Sequence, residues 1–563
     1  MTAIIRVCLL AVLFLPSSFG RRVGDEGAKL ARAIDPHPTL SQREWSQSIY
    51  NVRNFGAKGD GKALDTPAIN EAIDAAAKDG GGTVIFPAGT YLSVSIHLKS
   101  NITLQLDEGA TILAADTVPG KVTYDLPEPN QWDMYQDFGH SHWQNSLIWG
   151  IGLENVSIVG PGLIDGKGLT RRSPRPRRVP QPGDRPVTLG GARPQSPLGE
   201  DDDPSVMNGL GNKAISLKLC RNVLLRDFSI LNGGHFALLA TSVDNLTIDN
   251  VKVDTNRDGF DIDSSRNVRI SNCSVNSPND DAIVLKSSYA LGFARATENV
   301  TITNCLVSGY DIGSLLDGTY KKNVTEAPDK DGPTGRIKLG TESNGGFKNI
   351  TISNIVFDHC RGLALETVDG GLLEDVTITN ITMRDVVNSP IFLRLGQRMR
   401  GPATTPVGQL RRVNISNVVA YNADSRYASI IAGIPEHKIE DIALSNIRIF
   451  YRGGKREQTD VQTPERETNY PEPSMFGDLP AYGFFIRHAS RISLSNLTIS
   501  YLTSEMRPPF VLDDVAGVNF NLVTAQRGEN IPTFALTNVS DFNTRNCKGI
   551  PDTQIDRVAR KNF

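Results

Sequence analysis

From residue 155 onward the chain alternates apolar and polar positions in short runs built on one template. The segments NVSIVG (155–160), NVLLRD (222–227), NLTIDN (245–250), NVRISN (267–272) and NVTITN (299–304) share it. It returns as NITISN (349–354), DVTITN (375–380), RVNISN (412–417), DIALSN (441–446) and RISLSN (491–496). Period-two alternation over so few residues predicts β-strands, whose successive side chains point to opposite faces. In many repeats a second short strand follows, such as VKV (251–253) and IVF (355–357). The shortest spacings are 23 residues (Asn222 to Asn245) and 22 (Asn245 to Asn267), enough for three short strands and three turns. The recurring Asn suits a turn with left-handed backbone that stacks on its counterpart one coil away. Longer spacings are one coil plus an inserted loop. The predicted fold class is all-β, a right-handed, single-stranded parallel β-helix of about ten coils.

A solenoid must cap its ends. TPAINEAIDAAAKD (66–79) places Ile69, Ile73 and Ala76 or Ala77 on one helical face, which predicts an N-terminal capping helix. Thr66 is the expected N-cap, Pro67 the first helical residue, and Gly80 to Gly82 the stop. The first strands follow at TVIF (83–86) and ITLQL (102–106). The template breaks at 170–212, with five arginines between Arg171 and Arg178 and an acidic run from Glu200 to Asp203. That composition predicts a surface loop, with a lid over a groove as the alternative. Further polar insertions lie at 316–333 and 452–480.

Residues 1–20 read as a secretory signal, with Arg6, an apolar run from Val7 to Leu15, and small residues after it. A linker (21–45), the β-helix domain (46–548) and a C-terminal tail (549–563) complete the expected organisation. No other apolar run approaches membrane-spanning length, so a secreted or periplasmic protein is expected, without membrane association. A net charge of −3 argues against nucleic acid as a partner. The absence of heptads points to a monomer. Of six cysteines, Cys8 falls in the signal. Cys273 and Cys305 end matching repeats, where later repeats carry Ile355 and Ile381. A buried apolar stack explains them better than a disulfide framework.

The chemistry stands out from the template. Asp258 lies in NRDGFDID (256–263), and Asp280 and Asp281 in SPNDDAIVLKS (277–287). The 22-residue step from Asp258 to Asp280 is one coil, placing them side by side about 4.8 Å apart. Close carboxylates repel, raising the pKa of at least one, so a protonated acid can stand beside an ionised base. Asp-rich solvated turns are the alternative. Arg336 and Lys338, in GRIKLGTES (335–343), point to one strand face. They suit either a ligand carboxylate or neutralisation of the aspartates. His235 is expected in the row of Asp258 one coil earlier, with Glu366 and Arg394 extending the row beyond Lys338.

Together NFGAKGDG (54–61), the capping helix, NRDGFDI, DDAIVLKS and RIK resemble glycoside hydrolase family 28, the polygalacturonases and their relatives, in the family's order and over most of the chain. The resemblance maps an N-x-D motif onto Asn256 and Asp258, and a G-x-D onto Gly259 and Asp261. It implies Asp280 as general acid, Asp258 and Asp281 as holders of the water, and Arg336 and Lys338 as ligands of a uronate carboxylate. The implied reaction is inverting hydrolysis of a pectin-like polysaccharide without metal or cofactor, and the long insertions, as walls at one end of the groove, point to exo action. The family's Gly-His-Gly is replaced by SGYDIGSLLDGT (308–319). Relatives acting on rhamnogalacturonan also lack that His, and Tyr310 or His235 would stand in for it. The competing classes are a calcium-dependent polysaccharide lyase and a non-catalytic glycan-binding β-helix.

Overall fold

A computed structural model describes residues 48–170, 204–454 and 463–563. The expected signal, the linker, Cys8 and most of the 170–212 insertion lie outside the described residues.

The strands form one continuous assembly, parallel up to the last strand. Its register follows the apolar template position coil by coil: Val223 opposite Leu246, Leu246 opposite Val268, Val268 opposite Val300, and Val300 opposite Ile350. The stack continues through Val376, Val413, Ile442 and Ile492. This is the parallel β-helix the repeats predict. Two rungs escaped the template, Phe510–Ala525 and Phe534–Arg545, where Val518 and Phe542 extend the same stack. Aromatic residues replace the aliphatics there, with Phe510, Phe520, Phe534 and Phe542 packed ring on ring. Cys305 pairs in register with Ile355, and Ile355 with Ile381. The five described cysteines are buried and unbridged.

Both ends are covered. The capping helix spans Thr66–Lys78 and buries Ile69, Ala72, Ile73 and Ala76. Its N-cap is Asp65 rather than Thr66. Thr66 Oγ1 instead accepts from the Val94 N–H at 2.9 Å, which ties the helix to the first coil. The C-terminal segment is not a tail. Thr553–Asn562 forms a strand antiparallel to Phe534–Arg545, and Phe563 packs on Phe534 and Phe542. Reversing the chain pairs the last sheet edge, which would otherwise offer open hydrogen-bonding groups.

Candidate active site

Five neighbouring strands build the site: Phe236–Thr241, Asp258–Asp263, Ile283–Ser287, Ile337–Ser343 and Leu363–Thr367. Alternation sends Phe260, Ile262, Ile283, Leu285, Ile337 and Leu339 into the solenoid core. The opposite positions, Asp261, Lys286, Lys338 and Glu366, fall on the outer face, yet are also buried. They are roofed by two segments that carry no repeat. The turn Phe138–His140 brings His140 Nε2 to 3.1 Å from Asp261. Gly139 allows this approach, since a Cβ there would stand 2.6 Å from the His235 ring. The stretch after residue 463 brings Tyr470 and Glu472 onto Lys338 and Arg336.

The register differs by one residue from the spacing argument. Phe260 pairs with Ile283, and the Gly259 N–H donates to the Asp281 carbonyl at 3.0 Å. Asp281, not Asp280, is therefore level with Asp258. Phe236 lies opposite Asp258, so His235 is level with Arg257, and its Nδ1 stands 3.0 Å from that guanidinium. The three aspartates still converge, with one oxygen from each within 4.8 Å of the others.

Their environments differ sharply. Arg257 clasps Asp280 through Nη2 at 2.7 Å and Nε at 3.2 Å. Arg336 Nε donates to Asp281 at 2.8 Å, with Lys338 Nζ at 3.3 Å. Asp258 Oδ1 is buried without a hydrogen-bond partner among the described residues. Burial first, then the charge of Asp280, pushes the Asp258 carboxyl well above its usual range. Burial also works against ionisation of Asp280, but Arg257 overcomes it and holds that carboxyl below its ordinary value. The surroundings thus favour the neutral form of Asp258 and the ionised form of Asp280, the contrast on which acid–base chemistry at a glycosidic bond draws.

The remaining expected residues separate into two groups. Asn256 is on the rim, its Oδ1 accepting from Asn279 at 2.5 Å. Glu366 belongs to the cluster, 3.6 Å from Lys338; burial pushes its carboxyl up to about 7 against the pull of Lys338 and Arg336. Tyr310 does not stand in for the missing His, because its hydroxyl donates to Asp358 at 2.6 Å, where Lys322 also binds. Arg394 is level with Glu366 but its guanidinium donates to carbonyls, including that of Gly433 at 2.8 Å. It is a structural residue. Sequence reasoning missed His140, Lys286, Arg257, Tyr470 and Glu472. Lys286 bridges Asp261 at 3.3 Å and Glu342 at 3.1 Å, and approaches His140 at 2.5 Å. The histidine-rich GHSHW (139–143) in a repeat-free stretch was the one available signal. Among the described residues two groups have cation-ligand geometry, His140–Asp258–Asp261 and Asp258–Asp280–Asp281, though Lys286, Arg257, Arg336 and Lys338 already supply positive charge to them.

Comparison with known proteins agrees with this geometry. Residues 49–140, holding the capping helix and first coils, match the family described as "Rhamnogalacturonase A/epimerase, pectate lyase-like". Residues 207–361, holding all three aspartates and both cations, match "Glycosyl hydrolases family 28". A "Probable polygalacturonase" of Vitis vinifera is 25% identical over 79% of this chain and 82% of its own length. An "Exo-poly-alpha-D-galacturonosidase" of Dickeya chrysanthemi is 28% identical over 62% of this chain and 57% of its own. The solved family 28 exopolygalacturonase of Yersinia enterocolitica shares the fold, with a TM-score of 0.60 and 20% identity over 84% of this chain and 78% of its own. The aspartate trio and the Arg–Lys pair lie inside the segment that matches glycoside hydrolase family 28, and the match together with the polygalacturonase relatives indicates a glycosidase.

Proposed function

We propose that the protein hydrolyses galacturonosyl linkages of a pectic polysaccharide from a chain end, outside the cytoplasm, by single displacement with inversion and without metal or cofactor. The observation that carries this reading is the convergence of Asp258, Asp280 and Asp281, with one oxygen of each within 4.8 Å of the others and Arg257 clasping Asp280. Asp280 is the general acid, its side chain 28% exposed where Asp258 and Asp281 are nearly sealed. Burial and the charge of Asp280 favour the proton on Asp258 at rest. A sugar oxygen that enters beside Arg257 weakens its hold on Asp280, the proton passes to Asp280, and Asp280 delivers it to the leaving oxygen. Asp258 and Asp281 then hold the attacking water and take its proton.

Inverting enzymes commonly separate acid and base by about 6.5–9.5 Å. The nearest oxygens here lie within 4.8 Å of one another, so the anomer of the product is the test of inversion. Chain-end action is supported by the two segments roofing the charged row and by the relative named as an exo-enzyme. The apolar run at 7–15 supports export.

The test is sugar release from polygalacturonate and rhamnogalacturonan by wild type and Asp280→Asn, in chelator, with the product anomer followed by NMR. Release by the wild type alone, as short inverted products, is expected. Unchanged turnover by Asp280→Asn sinks the acid assignment. A product profile of long oligomers sinks chain-end action, and a chelator-sensitive, ultraviolet-absorbing product sinks hydrolysis.

A further inference from the structure

A cavity of about 530 Å³ opens on the outer face of the first coils, lined in part by His97, Lys99, Asp125, Gln144 and Trp149. Asp125 Oδ2 accepts from Trp149 Nε1 at 2.8 Å and meets His97 Nε2 at 2.7 Å. One carboxylate oxygen therefore fixes both rings, whose centroids are 5.1 Å apart. The loop bearing Asp125 is tied down by other bonds. Tyr124 Oη donates to the Ala115 carbonyl at 2.9 Å, and the Asp125 N–H to Ser95 Oγ at 3.0 Å. The side chains of His97 and Asp125 are 40% and 36% exposed, and Leu126 on the rim is 61% exposed, so solvent reaches the fixed rings. Lys99 is 45% exposed and pairs with Asp74 at 3.4 Å.

Strand register places this cavity relative to the aspartates. His97 pairs with Trp149, Trp149 with Ser216, Ser216 with Leu239, and Leu239 with Asp261. Trp149 thus stands in the outward row of Asp261, three strand spacings or about 14 Å away. The two outward residues between them, Ser216 and Leu239, are fully buried, and Trp143 packs on Leu239. A ligand in the cavity is therefore separate from one at the aspartates. The volume falls within the range of small-molecule sites, about 300–1,000 Å³. The lining suits a pyranose. An indole face attracts the weakly positive C–H groups of a sugar ring, and Asp125 and Gln144 offer hydrogen bonds to hydroxyls. The exposed Lys99–Asp74 pair is worth little, so Lys99 can exchange that partner for a sugar carboxylate.

We propose that the cavity at Trp149 is a second, non-catalytic glycan site that binds a uronate-bearing stretch of polysaccharide, with the indole against the sugar ring and Lys99 at its carboxylate. The proposal rests on the reading of the protein as a pectic hydrolase and adds to it. A polymer long enough to engage both sites is held at high effective concentration near the aspartates. A fragment too short to span them gains nothing. Because Asp125 fixes the two rings beforehand, binding pays little to order them.

The experiment compares kcat/KM on polygalacturonate with kcat/KM on trigalacturonate, in wild type, Trp149→Ala and Lys99→Gln. The ratio of polymer to trimer should fall about tenfold in Trp149→Ala and about threefold in Lys99→Gln. A ratio that neither variant changes overturns the proposal. Should Trp149→Ala not fold, the surface variant Lys99→Gln decides by the same ratio. Affinity electrophoresis in gels containing polygalacturonate or a neutral galactan reads binding without cleavage. If neither substrate is cleaved, the proposed hydrolysis fails, while retardation of wild type by polygalacturonate that weakens in both variants still supports the second site. Equal retardation of wild type and variants, or stronger retardation by galactan than by polygalacturonate, ends it.

Discussion

Two rows of polar residues climb the same coils and obey opposite rules. On the turn row, Asn245 donates to Asn222, Asn267 to Asn245, Asn299 to Asn267 and Asn349 to Asn299, all within 3.2 Å. A second ladder runs through Asn304, Asn354, Asn380, Asn417 and Asn446. Each of these residues has positive φ and meets its own kind one coil away. On the site row, Asp258, Asp280, Arg336, Lys338 and Glu366 meet unlike partners, several drawn from far along the chain. His140 reaches Asp261 across 121 residues and Arg336 reaches Glu472 across 136. A ladder of like residues is a nearest-neighbour structure whose cost and benefit repeat per coil. A buried charge cluster is cooperative, because removing one member strands the others.

That difference can be broken in graded steps. Asp280→Asn should lower kcat by about 10²–10⁴-fold with substrate binding kept, whereas Asn354→Ala should leave kcat unaltered. Arg336→Met leaves Asp281 with Lys338 and Glu472 with Arg361, and the loss of the buried guanidinium between them should cost up to about 3–5 kcal/mol in urea unfolding. Adding Glu472→Leu should restore much of that loss, because a paired charge cluster often gives way to apolar packing at little cost. Asn354→Ala, on the exposed ladder, should cost about 1–2 kcal/mol, because alanine lacks the side-chain hydrogen bonding that lets asparagine hold left-handed backbone and the bonds to Asn304 and Asn380 go with it.

Smaller effects sharpen the comparison through pH. Arg257→Gln removes the cation that keeps Asp280 ionised, so the limb of the pH–rate profile set by Asp280 should move to higher pH. Glu366 has a folded pKa raised from 4.5 to about 7, so the native state binds its proton more tightly than the unfolded chain does. Its contribution is complete below pH 4.5 and is lost as pH rises through about 7. The melting temperature of wild type relative to Glu366→Gln should therefore decline across that window, and a flat difference would remove Glu366 from the cluster.

The positions legible from residues alone were those whose partners are one period away. The alternating template gave the strands, the Asn at its end gave the turn ladder, and the 22–23-residue step brought the coils bearing Asp258, Asp280 and Asp281 together. The same step misplaced Asp280 and His235 by one residue each, because the coil from Phe260 to Ile283 is 23 residues long and that from Phe236 to Asp258 is 22, and spacing between motifs does not report register. The last rungs were missed where phenylalanines replaced the aliphatic template. Thr553–Asn562 was missed because it pairs in the opposite direction and follows no repeat.

What the sequence by itself determined is the solenoid and the identity of its acidic centre, because period-two alternation and coil-length repetition are local properties that fold against copies of themselves. Only the tertiary structure decided how that centre is charged. The segments bearing His140, Tyr470 and Glu472 have no repeat to announce where they dock. Their place is set by the high cost of leaving Asp261, Lys338 and Arg336 buried without partners, and that cost exists only once the coils have stacked.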